Sequence, residues 1–168
     1  GNPAHALGEA AKEMGCGLVI IATHGRSGIE HFVFGSVAEK VIRESAIPVL
    51  CVKHPEHEFV KGVDNRLELK RILFPTDFSQ LSAEGLPYAA DMARAFGAKL
   101  TLVYVNELAV MLPEYLPEMA MATTLDIATG AQRTLEDLAK SIEGVDVDVM
   151  VRTGVHHSEI IAASKELE

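Results

Sequence analysis

The sequence lacks a surplus of positive charge. Its 168 residues include 15 lysines and arginines against 24 aspartates and glutamates, which gives a formal net charge of −9. Nucleic-acid affinity rests on clustered Lys and Arg, so this balance argues against a nucleic-acid partner. The sequence also lacks an apolar run of the roughly 18 residues that a membrane span needs, and its first residues show no signal-peptide pattern. We therefore expect a cytoplasmic protein without a membrane partner.

Cysteine is scarce as well. Cys16 and Cys51 lie far apart in apolar runs, with no Cys-x-x-Cys spacing. We interpret them as reduced core residues, and sequence alone leaves a disulfide open. Two catalytic signatures are missing: the Gly-x-x-x-x-Gly-Lys-Ser/Thr loop of P-loop ATPases and a nucleophile elbow around Ser79, Ser82 or Ser158. We accordingly predict no catalytic residues.

Five short apolar segments alternate with helical patterns along the chain. Continuous apolar runs rich in β-branched residues are typical of strands covered on both faces. The segments are residues 17–22, 48–52, 71–75, 100–105 and 145–151, and the helical patterns cover 36–45, 82–96 and about 125–142. Gly97 is the expected stop of the second helix. The alternation predicts an α/β fold: an open parallel sheet with helices on both faces.

Three features favour plain structural interpretations. Residues 53–70 have no clear period and are predicted to be a linker, so its His54, Glu56, His57 and Glu58 are interpreted as solvated rather than as metal ligands. Residues 108–124 carry three methionines, which indicate either an adaptable binding surface or a loosely packed loop. Residues 145–151 alternate by two, which is typical of a sheet edge, so their aspartates are interpreted as solubilising rather than cation-binding.

The chain contains an internal repeat. Residues 1–15 align without gaps to residues 154–168, with identities at Gly1/Gly154, Ala10/Ala163, Lys12/Lys165 and Glu13/Glu166. The offset of 153 residues is about the length of one domain. The repeat therefore predicts that the chain begins and ends at the same helix of two successive domains.

A glycine-containing loop lies between the strand ending at Ala22 and the helix beginning at Ser36. Glycines allow close approach of the backbone to a ligand, and a helix start offers unpaired N–H groups with a partial positive charge. Ser36 can cap the helix and donate its hydroxyl to an anion. The favoured ligand of such a loop is a phosphate, although tight turning explains glycines before a helix about as often.

This loop resembles the phosphate loop of the universal stress protein family, whose nucleotide-binding members carry G-x-x-G, nine residues, then G-S/T. Gly25, Gly35 and Ser36 match that spacing, whereas Ala22 stands at the first glycine. The nine-residue stretch includes Arg26 and Gly28. Arg26 is either a phosphate clamp or a solvated loop residue. His24 either acts near the phosphate or shapes the loop.

The second part of the chain resembles the opening of a domain of the same family. Residues 71–79 look like its first strand and acidic turn, from which an aspartate typically reaches the nucleoside. That role falls on Asp77, next to Thr76. Val105, at the end of the next strand, matches the position whose backbone typically contacts the base.

The resemblance implies a Rossmann-like fold of the adenine nucleotide alpha hydrolase type, a five-stranded sheet of order 3-2-1-4-5. The family's strands four and five come first here, so we expect permuted or exchanged halves of a tandem protein. Residues 1–52 would be the C-terminal half of one domain, 53–70 a linker and 71–168 the N-terminal part of a second. Asp77 and Gly25 would flank one crevice beside the switch point of the sheet, provided that the chain closes on itself or exchanges halves with a second copy.

The function implied is a stress-response regulatory protein that binds ATP or AMP with Mg²⁺. Ala22 suggests an alternative function, that of a structural and interaction module of the same family that binds no nucleotide. Slow ATP hydrolysis is a third interpretation. The strand at residues 49–52 is an expected sheet edge, and the family commonly dimerises there. We therefore predict a homodimer or a dimer that exchanges halves.

Overall fold

The computed structural model describes residues 3–22, 36–52, 60–61, 66–107 and 117–167. It divides into two units, Gly1–Phe59 and Val60–Glu168. The first unit contains α1 (Pro3–Glu13), β1 (Val19–Ala22), α2 (Ser36–Glu44) and β2 (Val49–Val52). The second contains β3 (Val60–Lys61), β4 (Arg66–Leu67), β5 (Arg71–Pro75), α3 (Gln80–Phe96), β6 (Lys99–Asn106), α4 (Pro117–Ser141), β7 (Val147–Thr153) and α5 (His156–Glu166).

The described residues of the first unit form a two-stranded parallel sheet with two helices. β1 and β2 pair from Val19↔Val49 to Ala22↔Val52. α1 and α2 contact each other, and the buried residues of the helices are small or β-branched: Ala4, Ala38 and Val41. On the strands, Ile20 is 65% exposed and its register partner Leu50 is 37% exposed. One face of this sheet is therefore apolar and open among the described residues of the unit.

The second unit is built on a three-stranded parallel sheet of order β5-β6-β7. β6 pairs with both neighbours, from Arg71↔Lys99 on one side and from Leu100↔Val147 on the other. A central strand must be apolar on both faces, and the side chains of Leu100, Leu102 and Val103 are fully buried. β7 lies at an edge of this sheet, as its sequence pattern predicts.

The core of the second unit lies between one face of the sheet and helices α3 and α4. Leu100 and Leu102 of β6 meet small residues of α3 and Leu135 of α4, which is fully buried. The alanines of α3 that join this cluster, Ala89, Ala90 and Ala93, allow the helix to approach the sheet closely. The opposite face, which carries Val103 and Val105, lies on the side of α5, whose Ile160 joins them around one cavity.

The ends of α3 follow from two residues. The Ser79 hydroxyl accepts a hydrogen bond from the Ser82 N–H (3.1 Å) and so caps the first turn. Gly97 adopts the left-handed conformation at φ 63°, and its N–H donates to the Ala93 carbonyl. The predicted stop at Gly97 is confirmed, while the helix begins two residues earlier than predicted.

α4 begins earlier than the sequence pattern predicts. It starts at Pro117, eight residues before the predicted start, so the second half of the stretch 108–124 is helical rather than a loop. Proline suits the first helical position because its missing N–H would have no partner there. The signal was present, but the weak apolar periodicity of residues 117–124 concealed it.

The structure gives a helix at each copy of the repeat. α1 and α5 are both 11 residues long, and their first and last residues are aligned positions of the repeat. The segment interpreted as a linker contains the short antiparallel pair β3–β4, with Val60 opposite Leu67. The five-stranded sheet, its order and the tandem arrangement stay predictions, since the described strands form one parallel sheet in each unit.

Several smaller predictions are settled. Cys16 and Cys51 are free thiols and only partly buried. Asp146 and Asp148 hold Lys99, whose Nζ lies 3.6 Å and 2.8 Å from their carboxylates, so they serve a surface ion-pair cluster. Of the helices described, none is long and apolar enough to cross a membrane.

Candidate functional site

The turn after β5 is held by Thr76, a buried residue. Its N–H donates to the Val103 carbonyl of β6 (2.9 Å), which continues the sheet by one residue. Its Oγ1 accepts from the Phe78 N–H (3.1 Å) and lies 2.6 Å from the Ser82 hydroxyl. Thr76 thus joins the end of β5 to β6 and to the first turn of α3, and this fixes the path of the chain through Asp77.

Asp77 is exposed, and part of its carboxylate serves the turn. Its Oδ1 accepts from the Ser79 N–H at 2.9 Å, an Asx turn. The hydrogen bonds from the Ser79 side chain and backbone lower the pKa of this carboxyl below its ordinary 3.8. Asp77 is therefore ionised at neutral pH.

Phe78 adopts the left-handed backbone conformation, with φ at 61°, which residues other than glycine rarely adopt. A left-handed residue costs about 1–2 kcal/mol for an L-amino acid. The ring stacks on Tyr104 of β6, with centroids 4.9 Å apart and an interplanar angle of 16°. Aromatic pairs of this kind contribute about 0.5–1.5 kcal/mol, which offsets much of that cost.

A cavity of about 480 Å³ lies beside this turn, within the second unit. It is at the carboxyl ends of β5 and β6, where open α/β sheets bind their ligands. Its apolar wall includes Val103, Val105 and Ile160, and its polar groups come from the turn and from α5. The remaining lining residues are Pro75, Thr76, Asp77, Ser79, Leu81, Ser82 and His156.

The residues that line the cavity include a carboxylate-paired histidine. His156 is the first residue of α5, and its Nδ1 lies 2.5 Å from Oε2 of Glu107, the residue that follows β6. The imidazole is 56% exposed and the Glu107 side chain 24% exposed. Asp77 and His156 are therefore the two ionisable side chains among the lining residues.

The structure brings together three of the predicted site residues. Thr76, Asp77 and Val105 all line the cavity, and Val105 is buried. Ala22, the last residue of β1, and Ser36, the first residue of α2, both lie in the first unit and are exposed. The other predicted loop residues, His24, Gly25, Arg26, Gly28 and Gly35, lie outside the described residues, as do His54 and His57.

Sequence reasoning missed the contributions of Ser79, Ser82 and His156 to the cavity. The serines carried a signal, since Ser79 lies just before the helical pattern at 82–96 and serine is a typical N-cap residue. His156 carried none, because its place depends on how α5 follows β7 in three dimensions. Within the described ranges, no group of three or more His, Cys, Asp or Glu is placed to hold a metal ion.

Comparison with known proteins identifies the family. The family model described as "Universal stress protein family" matches residues 1–53 and 68–168. The chain belongs to the universal stress protein family. The expectation drawn from the glycine loop and the acidic turn is thereby confirmed at the level of the family, and the α/β fold with parallel sheets and helices matches that of its solved structures.

Individual members of the universal stress protein family are similar to parts of this chain. Universal stress protein MJ0531 of Methanocaldococcus jannaschii is 41% identical over 58 residues, 34% of this chain and 34% of that protein. Universal stress protein YxiE of Bacillus subtilis is 42% identical over 53 residues, 32% of this chain and 36% of that protein. The aligned stretch thus spans about a third of each curated relative.

A solved universal stress protein from Archaeoglobus fulgidus is similar over almost the whole chain. Its TM-score is 0.65 at 23% identity, and the match covers 98% of this chain and 52% of that one. At this identity the likeness establishes the fold.

Proposed function

We propose that this universal stress protein is a cytoplasmic regulatory protein that binds an adenine nucleotide, ATP or AMP. The nucleoside part occupies the cavity at the carboxyl ends of β5 and β6. The observation that carries the proposal is the convergence of Thr76, Asp77 and Val105 on one cavity. Nucleotide occupancy would then tune a conformation or the binding of a protein partner.

The size and chemistry of the cavity support a nucleoside. Small-molecule sites commonly measure about 300–1,000 Å³ and combine apolar walls with a few placed polar groups. Val103, Val105 and Ile160 offer an apolar wall for a base. Asp77 offers an ionised acceptor for a hydroxyl or amino donor, and ribose and adenine both carry such donors.

The phosphate part of the proposal rests on residues 22–36. The resemblance gives Gly25, Gly35 and Ser36 the role of holding phosphates, with Mg²⁺ entering as the companion of ATP. Backbone N–H groups at a helix start bind anions well, and Ser36 begins α2.

Binding of AMP and of ATP with Mg²⁺ to the full chain tests this function by isothermal titration calorimetry. Asp77→Asn is the sharpest variant because an amide oxygen still accepts the Ser79 N–H and thus keeps the turn. Loss of one charge-assisted hydrogen bond, about 1.5–3 kcal/mol, weakens binding roughly tenfold or more. Asp126→Asn, at an exposed position of α4, is the matched control and leaves affinity unchanged.

The pH profile adds a second check. Because the pKa of Asp77 is lowered, its carboxylate stays charged from neutral pH down to below 3.8. Its contribution to affinity is therefore constant across neutral and mildly acidic pH, and falls only as the pH drops through the lowered pKa. Absence of any nucleotide binding at millimolar concentration rejects the proposed function.

A second candidate is an interaction module that binds no nucleotide, and the residue that favours it is Ala22. It stands at the end of β1, where nucleotide-binding members carry glycine. Nucleotide titration of the Ala22→Gly variant distinguishes the two candidate functions. If the protein is an interaction module, the unmodified chain binds no nucleotide and the glycine variant gains binding.

We further propose that the protein assembles as a homodimer or exchanges halves with a second copy. The exposed pair Ile20 and Leu50 gives the first unit an apolar sheet face. Apolar sheet surfaces of this kind tend to be covered in stable proteins. Light scattering of the full chain at micromolar concentration tests the assembly, and the mass of a single chain contradicts it.

A further inference from the structure

The contact between Glu107 and His156 fixes the hydrogen-bonding character of the imidazole. Nδ1 of His156 lies 2.5 Å from Oε2 of Glu107. A carboxylate only accepts hydrogen bonds, so Nδ1 carries the proton in this pair. In the neutral ring the other nitrogen, Nε2, is then an acceptor. Carboxylates fix the tautomer of metal-bound histidines in the same way, by accepting a hydrogen bond from the other ring nitrogen.

The cavity therefore presents acceptors from both of its ionisable residues. Asp77 contributes a carboxylate from the turn after β5, and His156 contributes Nε2 from the start of α5. β6 lies between β5 and β7 in the sheet, so the two residues approach its carboxyl end from opposite sides. A ligand that bridges them must offer a hydrogen-bond donor to each.

We propose that His156, with its tautomer set by Glu107, selects the base by accepting a hydrogen bond from an exocyclic amino group. This inference rests on the proposed function and names what that site distinguishes. Adenine carries an amino donor at the purine 6 position, while hypoxanthine and guanine carry a carbonyl acceptor there. Two facing acceptors cannot hydrogen-bond to each other, and a polar group that loses its partner on binding costs affinity. His156 touches the ligand, and Glu107 is a positioning residue.

The decisive experiment compares AMP with inosine monophosphate, which carries a carbonyl in place of the 6-amino group and a proton on the neighbouring N1. Titrations are run at pH 8, above the range in which imidazoles ordinarily take up a second proton. The unmodified chain is expected to bind AMP about tenfold more tightly or better, the size of one lost hydrogen bond with unpaired acceptors. His156→Ala brings the ratio of the two dissociation constants close to one.

Two further variants separate selection from simple loss of structure. Glu107→Gln leaves His156 in place but frees its tautomer, so the AMP preference falls although Glu107 touches no base. His157→Ala changes the next residue of the same helix, which is exposed and outside the cavity lining, and keeps the preference. The ¹⁵N spectrum of the His156 ring reports the tautomer directly: Nδ1–H dominates in the unmodified chain and loses population in Glu107→Gln.

The outcomes distinguish the two proposals. If neither nucleotide binds, the proposed function fails and this inference falls with it. If both nucleotides bind equally well to the unmodified chain, or if His156→Ala keeps the preference for AMP, the nucleotide site stands and the selecting role of His156 is wrong.

Discussion

The two units treat similar strands differently. β1 is continuously apolar and β6 is mostly apolar, and both sequences predict strands covered on two faces. In the second unit that prediction holds, since Leu100 and Leu102 are 0% exposed and Val103 on the opposite face is equally buried. In the first unit Ile20 is 65% exposed among the described residues. An apolar run thus indicates that a strand is suited to burial, and the elements packed around the strand decide how much of it is buried.

The largest expected effect comes from truncating equivalent apolar residues in the two units. Leu102→Ala removes a fully buried core side chain of β6, the strand between β5 and β7, and we expect a loss of about 2–5 kcal/mol in the free energy of unfolding. Ile20→Ala removes an exposed side chain and changes stability by about 0.5 kcal/mol or less. Urea titration of both variants measures the contrast.

The control for the comparison of Leu102→Ala with Ile20→Ala is to repeat the unfolding measurements at several protein concentrations. If a second copy covers the face of Ile20, the cost of Ile20→Ala grows with protein concentration, since association then contributes to stability. A cost for Ile20→Ala as large as that for Leu102→Ala in the dilute single chain contradicts the contrast between the units.

A smaller effect is expected at the end of β7. Gly154 has φ at 152°, and a Cβ built there would lie 2.8 Å from Cγ of Glu159, whose carboxylate pairs with Arg152. Gly154→Ala therefore strains the backbone and displaces Glu159, at a cost of about 1–3 kcal/mol in the stability of the second unit. Thermal unfolding followed by circular dichroism measures this loss. An unchanged midpoint would show that the β7–α5 connection is looser than its geometry implies.

Helix glycines in the two units give a matched pair of gains. Gly8 of α1 and Gly130 of α4 both have open space around an added Cβ. Alanine raises helix propensity at each position by about 0.8–1.0 kcal/mol. If the two units unfold as separate cooperative bodies, each substitution stabilises its own transition alone. Hydrogen exchange resolved by residue follows both transitions, and equal protection gains throughout the chain would mean that the units unfold together.

The smallest effect concerns the surface cluster at the edge strand of the second unit. The side-chain hydrogen bond from Lys99 to Asp148 and the nearby Asp146 raise the pKa of the Lys99 ammonium above 10.5. A raised pKa in the folded state stabilises the protein below the unfolded pKa, and this contribution is lost as the pH rises through the folded value. Asp148→Asn therefore lowers stability slightly at neutral pH and little above that alkaline range. Melting temperatures from pH 7 to 11 follow the difference, and high salt reduces it.

Local patterns predicted much of the fold and part of the site. β5 spans residues 71–75 as predicted, because a short apolar run ending in proline has few alternatives. Thr76 and Asp77 were assigned from the resemblance of residues 71–79 to the opening strand and acidic turn of the family, and both line the cavity. The same reasoning applied to Val105.

What sequence could not give is the arrangement that depends on distant contacts. His156 and Glu107 are 49 positions apart and meet only because β6 and β7 end side by side. The exposure of Ile20 depends on which layers surround β1, and a periodicity argument contains no information about that. The left-handed Phe78 was invisible too, since nothing in its neighbours signals a positive φ and its ring finds Tyr104 through the sheet.

The turn that carries Asp77 is fastened twice to the same strand, once by the Thr76 N–H on Val103 and once by the Phe78 ring on Tyr104. Asp77 and the apolar wall built from β6 are consequently attached to the same strand. The sheet, rather than a hinge, therefore sets the distance between them. A ligand that binds between them therefore has to fit a spacing that the sheet sets. We expect its affinity to be more sensitive to small changes in strand register than to small changes in helix position.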